Sequence, residues 1–368
     1  MLGGGQEPVW RERLFRTRTG SRESRPGTRR ANATASVLSE ADELVRAGRV
    51  RDAVDRLAGA NRARRDPAIE IRALQLRQDA ASSIDPCLGR SPWPPVYDDP
   101  FPDAVGFLPE VHVTDLSAEV MGGAVAHHGG LIVRNLLEAE DARHIIEGIH
   151  RAEAQRDRID DDVPDDEGSS WYHAYPQSHG PNTRAMVQNR GGIWMADSPA
   201  NTALILDLLM SRGVIDAVAR HLGERPCFSL QKSTLRHLQP VFALAGWHQD
   251  GAFLGSDVRT MNVWTALSPC GGDRPTPGLE LVPKRLHEIL STEGGIVPNS
   301  IAPTVLDQVL ADTPSVRPEF EPGDGLIFDE RFLHSTYLHE NMTEVRYALE
   351  CWLFAPSHRP PEYLPFLV

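Results

Sequence analysis

One short stretch concentrates the chemistry of this chain: Gly246-Trp247-His248-Gln249-Asp250-Gly251. Side chains at i and i+2 of a strand leave from the same face, so on a strand His248 and Asp250 would meet one metal ion together. A second imidazole from a facing strand would complete a 2-His-1-carboxylate face. The positions left open are what non-haem Fe(II) needs to take up a co-substrate and then O2. His334, at the end of Phe328-Asp329-Glu330-Arg331-Phe332-Leu333-His334-Ser335-Thr336, is the candidate third ligand. Twelve positions beyond it, Arg346 opens the apolar run Arg346-Tyr347-Ala348-Leu349-Glu350-Cys351-Trp352, on the face shared by Ala348, Glu350 and Trp352. A guanidinium inside a barrel needs an anion, because an unpaired buried charge is too costly. Its planar fork matches a carboxylate, and the far carboxylate of 2-oxoglutarate fits while the keto acid end chelates iron.

Each residue has a plainer alternative. Either histidine could be a hydrogen-bonded polar residue, Asp250 could cap a turn before Gly251, and Arg346 could pair with Glu350 or Asp329. A His-x-Asp is unremarkable among 14 histidines and 51 acidic residues, so the order of the whole set carries the case.

The elements that must position these residues follow from patterning. Beyond about residue 226, short candidate strands alternate with turn signals: 227–237, 246–253, 259–267, 278–282, 316–320, 325–329 and 346–354. Glu321-Pro322-Gly323-Asp324-Gly325 reads as a hairpin turn among them. Upstream, helical spacing covers 116–128, 139–154 and 199–222, with a strand at 130–134. The fold class expected is α+β with a mostly β core, a double-stranded β-helix (jelly roll, cupin-like) with flanking helices.

Residues 1–35 hold eight arginines and no apolar periodicity, and read as a disordered tail; three interspersed acids speak against an organelle transit peptide. Residues 36–85 carry two apolar stripes around Ala47-Gly48-Arg49, with a start signal at Ser39-Glu40-Ala41-Asp42. They resemble one tetratricopeptide unit, a helical prefix expected to dock on the main domain. Residues 86–110 form a Pro-rich connector. The acidic run 160–167 reads as a solvated loop, with a lid or a loop attracting a cationic substrate as alternatives.

Composition sets outer limits. With 368 residues, 40% hydrophobic, a net charge of −13 and a pI of about 5.5, the chain is a poor candidate for nucleic-acid binding or an acidic membrane surface. No apolar run reaches the length of a membrane span. Cys87, Cys227, Cys270 and Cys351 lack metal or disulfide spacing and read as reduced thiols of a cytoplasmic protein. Only Lys232 and Lys284 are lysines among 38 basic residues, a bias that points to a GC-rich genome.

From about 112 to 356 the sequence resembles the phytanoyl-CoA dioxygenase family. The matching pieces are Trp247-His248-Gln249-Asp250, Val263-Trp264-Thr265-Ala266-Leu267, Gly278-Leu279-Glu280-Leu281-Val282-Pro283, Gly323-Asp324-Gly325-Leu326-Ile327-Phe328-Asp329, His334-Ser335-Thr336 and Arg346. The resemblance implies an oxygenase domain over 111–368 using Fe(II), 2-oxoglutarate and O2. His248, Asp250 and His334 would be the ligands, Arg346 the co-substrate clamp and Thr336 its helper. Trp264 would line the pocket, or simply fill the core. Pro283-Lys284-Arg285-Leu286-His287 departs from the family's Pro-Gly-Ser-His, so the substrate-side loop is expected to differ. The expected activity is oxidation, in the first instance hydroxylation, of a small molecule, releasing succinate and CO2. Glu350, Trp352, Trp171, Trp194 and the acidic run suggest a polar, cationic substrate from secondary metabolism. A cupin-like enzyme independent of 2-oxoglutarate and a non-catalytic binding protein are the rival readings.

Overall fold

A computed structural model describes residues 26–84, 92–160, 169–176, 183–240, 246–255 and 257–368. Its centre is a sheet buried on both faces, which explains why its strands read as nearly continuous apolar runs. Strand alternation splits β10 (Arg346–Phe354) into Leu349, Cys351 and Leu353 on one side and Ala348, Trp352 and Phe354 on the other. The same division runs through β6 (Thr260–Ala266), β8 (Gly325–Phe328) and β2 (Gly130–Arg134), where Val263, Ile327 and Leu131 oppose Trp264, Leu326 and Ile132. The odd-numbered face of β6, β8 and β10 packs on helices α4 (Ala118–His128), α5 (Ala139–Asp160), α7 (Pro199–Ser211) and α8 (Val214–Leu222). The opposite face looks toward a two-stranded sheet of β7 (Gly278–Leu281) and β9 (His334–Tyr337), with Leu279, Leu281 and Phe320 in the same cluster.

The main sheet runs β1 (Glu110–His112), β2, β8, β6, β10, β4 (Cys227–Ser229), β11 (Pro365–Leu367). Strand β5 (Thr234–Leu238) also pairs with β10, and β3 (Gly192–Trp194), which follows the short helix α6 (Arg184–Gln188), lies outside it. All these pairings are antiparallel except β1 with β2.

Several expected elements change form. The helix at 199–222 is two helices, because Gly213 takes φ 73° and breaks the ladder. The strand at 227–237 is split by a turn that carries Lys232. Residues 316–320 make only isolated bridges, Val316 to Leu281 and Phe320 to Cys270. The Glu321–Gly325 turn is therefore not a hairpin: it passes the chain from the smaller sheet to β8 in the larger one. Its Asp324 carboxylate accepts from the backbone N–H of Glu321 and Asn135 at 3.0 Å each and pairs with Arg134 at 2.6 Å.

The helical prefix has three helices, α1 (Pro26–Arg46), α2 (Val50–Ala63) and α3 (Pro67–Ser82), and begins ahead of residue 36. The Ser39–Asp42 signal lies inside α1, whose first half is held by Thr34 donating to Asp66 at 2.7 Å. Helix α3 starts where Asp66 caps Ala68 N–H and Pro67 supplies a preset φ. The buried guanidinium of Arg77 donates to the Leu367 carbonyl at 2.7 Å, and the buried carboxylate of Glu70 takes Ser170 and Asn61. The prefix is thus docked on β11 and on the segment around Ser170. Cys227, Cys270 and Cys351 are buried free thiols; Cys87 and the acidic residues 161–167 lie outside the described residues. No described helix is long and apolar enough to cross a membrane.

Candidate metal centre

His248 and His334 are brought together by one antiparallel bridge, with reciprocal N–H to C=O bonds of 3.0 and 3.1 Å. That pairing sets the imidazole centroids 4.4 Å apart. Asp250 arrives by a different route from the one its spacing suggested. Residues 246–253 are not a strand; Asp250 is helical (φ −63°, ψ −23°) and opens the short helix α9 (Gly251–Leu254). The turn presses Gly251 against neighbours so closely that a Cβ there would stand 2.4 Å from Ile289 Cδ1 and 3.2 Å from the Glu330 carbonyl. Asp250 Oδ2 consequently sits 3.9 Å from His334 Nε2, and one ligand atom from each of the three residues lies within 4.8 Å of the others. Among the described residues this is the only such group of three.

The imidazoles are oriented for ligation. His248 Nδ1 lies 2.8 Å from the Gly246 carbonyl and His334 Nδ1 3.0 Å from that of Phe332. A carbonyl accepts only from N–H, so both Nδ1 atoms carry the proton and both Nε2 lone pairs face the centre. Burial, helped by the neighbouring His248, pushes His334 down to about 4, which keeps it a neutral donor. Burial opposes ionisation of Asp250, but the Lys232 ammonium outweighs it and holds the carboxyl below its usual range. Lys232 Nζ is 3.0 Å from Asp250 Oδ1 and stands over the rings of Phe253 (4.5 Å) and Trp352 (5.2 Å).

Gln249 points away from the ligands and locks the turn. Its Nε2 donates to the carbonyls of Glu288 (3.0 Å) and Arg331 (2.7 Å), and its Oε1 accepts from Leu290 N–H (2.7 Å). The divergent loop after Pro283 belongs to the same brace: Arg285 pairs with Asp329 at 2.6 Å, and Arg331 donates to the His287 carbonyl at 2.7 Å. Beside it the Glu330 carboxyl, raised to about 7 by burial and by Asp329, accepts from Thr260 at 2.9 Å. Neither Gln249 nor Lys232 was singled out from sequence. Gln249 carries no recognisable chemistry there, and Lys232 gave a signal in its rarity.

Arg346 is 3% exposed, on the inner face of β10. Its Nη1 donates to the Gly278 carbonyl at 2.8 Å, while Nε has no hydrogen-bond partner, and among the described residues no acidic side chain forms an ion pair with it. The acids that might have claimed it are taken: Glu350 by Arg236 and Asp329 by Arg285. Its guanidinium stands 5.8 Å from the Trp264 ring, and burial lowers its pKa. Trp264 also packs edge-on against Phe320 at 5.0 Å, so it is at once core and neighbour of Arg346. Its Nε1, like Asn262 Oδ1 on the same strand face, is buried without a hydrogen-bond partner. Thr336 lies on β9 on the same side as His334. Trp171 and Trp194 are covered instead by Arg151 (4.9 Å) and Arg184 (5.0 Å). An apolar cleft of about 600 Å³ lined by Phe101, Phe107, Ile132 and Val316 includes none of the three candidate ligands.

Three donors within 4.8 Å of one another, two neutral and one anionic, suit a borderline divalent ion such as Fe(II). An unpaired buried cation suits a carboxylate. No family model matches the chain, and no curated protein matches it in sequence. Among solved structures it is similar to AviO1 from Streptomyces viridochromogenes Tue57 (17% identity, TM-score 0.41, covering 65% of this chain and 94% of that one). EctD from S. alaskensis with bound Fe gives 15% identity and TM-score 0.47 over 67% of this chain and 81% of its own. The non-heme alpha ketoglutarate dependent carbocyclase SnoK from nogalamycin biosynthesis gives 16% and 0.40 over 67% and 86%.

Proposed function

We propose that this chain is an Fe(II)- and 2-oxoglutarate-dependent dioxygenase that oxidises a small molecule, with hydroxylation the simplest outcome. On this reading the two facing sheets form a double-stranded β-helix like that of the phytanoyl-CoA dioxygenase family. The observation that carries it is the pairing of a buried three-ligand centre with a buried arginine that lacks a carboxylate. A cupin-like enzyme independent of 2-oxoglutarate would explain the ligands and leave Arg346 a costly charge with no purpose.

Bound together, the metal and the keto acid would supply the oxidising power, with O2 consumed and succinate and CO2 released. The chain's own part is positioning. His248, Asp250 and His334 would hold the metal. Lys232 occupies Asp250 Oδ1 and leaves Oδ2 directed at the centre. Arg346, helped by Thr336, would receive the distal carboxylate, and Trp264 would line that site. The Gln249 brace keeps the ligand turn from opening.

Anaerobic titration of the protein with Fe(II) and 2-oxoglutarate tests this. A visible charge-transfer band of the chelate should grow in and be lost in His334→Ala. Iron binding without the band in the wild type would favour the 2-oxoglutarate-independent reading instead.

A further inference from the structure

The inner face of the sheet carries a charged pair with no part in holding metal or co-substrate. Glu350 lies on β10 between Arg346 and Trp352, opposite Thr234 on β5, and Arg236 lies opposite Ala348. Arg236 grips the Glu350 carboxylate with two edges, Nε to Oε1 at 3.2 Å and Nη2 to Oε2 at 3.0 Å, and Thr234 Oγ1 adds a third bond at 3.1 Å. Three of the roughly four acceptor sites of the Glu350 carboxylate are thus filled from within the chain. Arg236 Nη1, in contrast, donates to no group among the described residues. It lies over Gly192, where a Cβ would stand 3.3 Å from it, and the Arg236 side chain keeps 22% of its exposure.

The charges around the centre point the same way. Arg346, Lys232 and Arg236 are cations, and Asp250 and Glu350 are anions, with both imidazoles neutral as ligands. Fe(II) and a 2-oxoglutarate dianion would cancel each other. One positive charge is left over in this set, and an anion placed near it is favoured. Resting on the function proposed above, we infer that the substrate is an anion, a carboxylate-bearing small molecule anchored by the Nη1 edge of Arg236. Glu350 and Thr234 are positioning residues that hold this guanidinium flat and aim its free edge.

The test uses the full chain loaded with Mn(II), which stands in for iron, and saturated with 2-oxoglutarate so that Arg346 is occupied. Small aliphatic and aromatic acids are compared with their matched primary amides and amines by ligand-observed NMR titration. Acids should bind roughly tenfold or more tightly than the matched amides, the size expected for one charge-assisted contact. Arg236→Gln should reduce acids to the level of amides. Glu350→Gln, which removes a negative charge but keeps one acceptor for Arg236, should weaken acid binding less than Arg236→Gln does. Equal binding of acids and amides, a preference for amines, or equal weakening of acids by both variants would overturn the inference. Should Arg236→Gln fail to fold, the wild-type preference still decides. Loss of Mn(II) or 2-oxoglutarate binding would instead bring down the proposed function itself; if both bind and acids are not preferred, only the substrate class falls.

Discussion

Replacing Arg346 with Met separates a residue kept for function from one kept for stability. The wild-type protein buries this guanidinium at 3% exposure with one hydrogen bond, to the Gly278 carbonyl, and an aromatic face at 5.8 Å. Desolvating an ion costs several kcal/mol even after relaxation. Against that stand about 1.5–3 kcal/mol for a charge-assisted bond and about 0.5–2 for the ring contact. A methionine of similar reach removes the desolvation cost, loses those two contacts and leaves one carbonyl short of a partner. The balance is roughly neutral to 3 kcal/mol in favour of the variant, in line with other buried charges exchanged for apolar groups. For a chain of this size that is a rise of up to about 2–5 °C in melting temperature. Affinity for 2-oxoglutarate should fall about a hundredfold or more, the loss expected for a bidentate carboxylate contact. Thermal melts of the metal-free protein and calorimetric titration of 2-oxoglutarate into the metal-loaded protein measure the two effects. A variant destabilised by more than about 2 kcal/mol with unchanged 2-oxoglutarate affinity would refute the reasoning, because Arg346 would then be a structural residue.

Two further outcomes follow from the brace and from a buried histidine. Gln249→Leu strands the Glu288 and Arg331 carbonyls and the Leu290 N–H, and should cost roughly 3–5 kcal/mol in denaturant unfolding while weakening metal binding at least tenfold; an unchanged metal affinity would detach Gln249 from the site. His221, between Trp93 and Tyr97, is held down to about 4 by burial and by Arg285, against 6.5 when free. The unfolded chain then binds the extra proton first, so stability is full above pH 6.5 and is lost as pH falls toward 4. Between pH 7.5 and 5, His221→Phe should flatten this decline by roughly 2 kcal/mol in chemical denaturation; parallel curves for wild type and variant would argue against a neutral buried imidazole.

Local rules made much of this chain legible. Strand periodicity located β2, β6, β8 and β10, and it placed Arg346 on the inner face with Trp352, because each of these strands has two buried faces of fixed parity. The candidate ligands were legible from type and order. The reason offered for their proximity was not right. The i, i+2 rule would put His248 and Asp250 on one strand, yet their approach depends on a single bridge between residues far apart in sequence and on a helical turn at Asp250. Neither is a local property. The single-helix reading of 199–222 missed Gly213, whose left-handed φ shows only in the structure, and the start of α3 at Asp66-Pro67 went unread. The partner of Glu350 was also hidden: Arg236 reaches it only through the β5–β10 register.

Lys232 shows how a compositional signal can hold chemistry. In a chain where 36 of 38 basic residues are arginine, a lysine beside the centre calls for a reason. The two side chains are not interchangeable at a carboxylate: a guanidinium fork covers both oxygens, whereas an ammonium is a point charge that takes one. Here the ammonium bonds Asp250 Oδ1 at 3.0 Å while Oδ2 faces His334 Nε2 at 3.9 Å. An arginine in the same place would compete with a metal for the second oxygen. Between Phe253 and Trp352, moreover, a compact ammonium gains two aromatic faces and needs no further acceptor. A residue type set aside as a mark of the genome is thus the one that leaves the carboxylate free to act as a ligand.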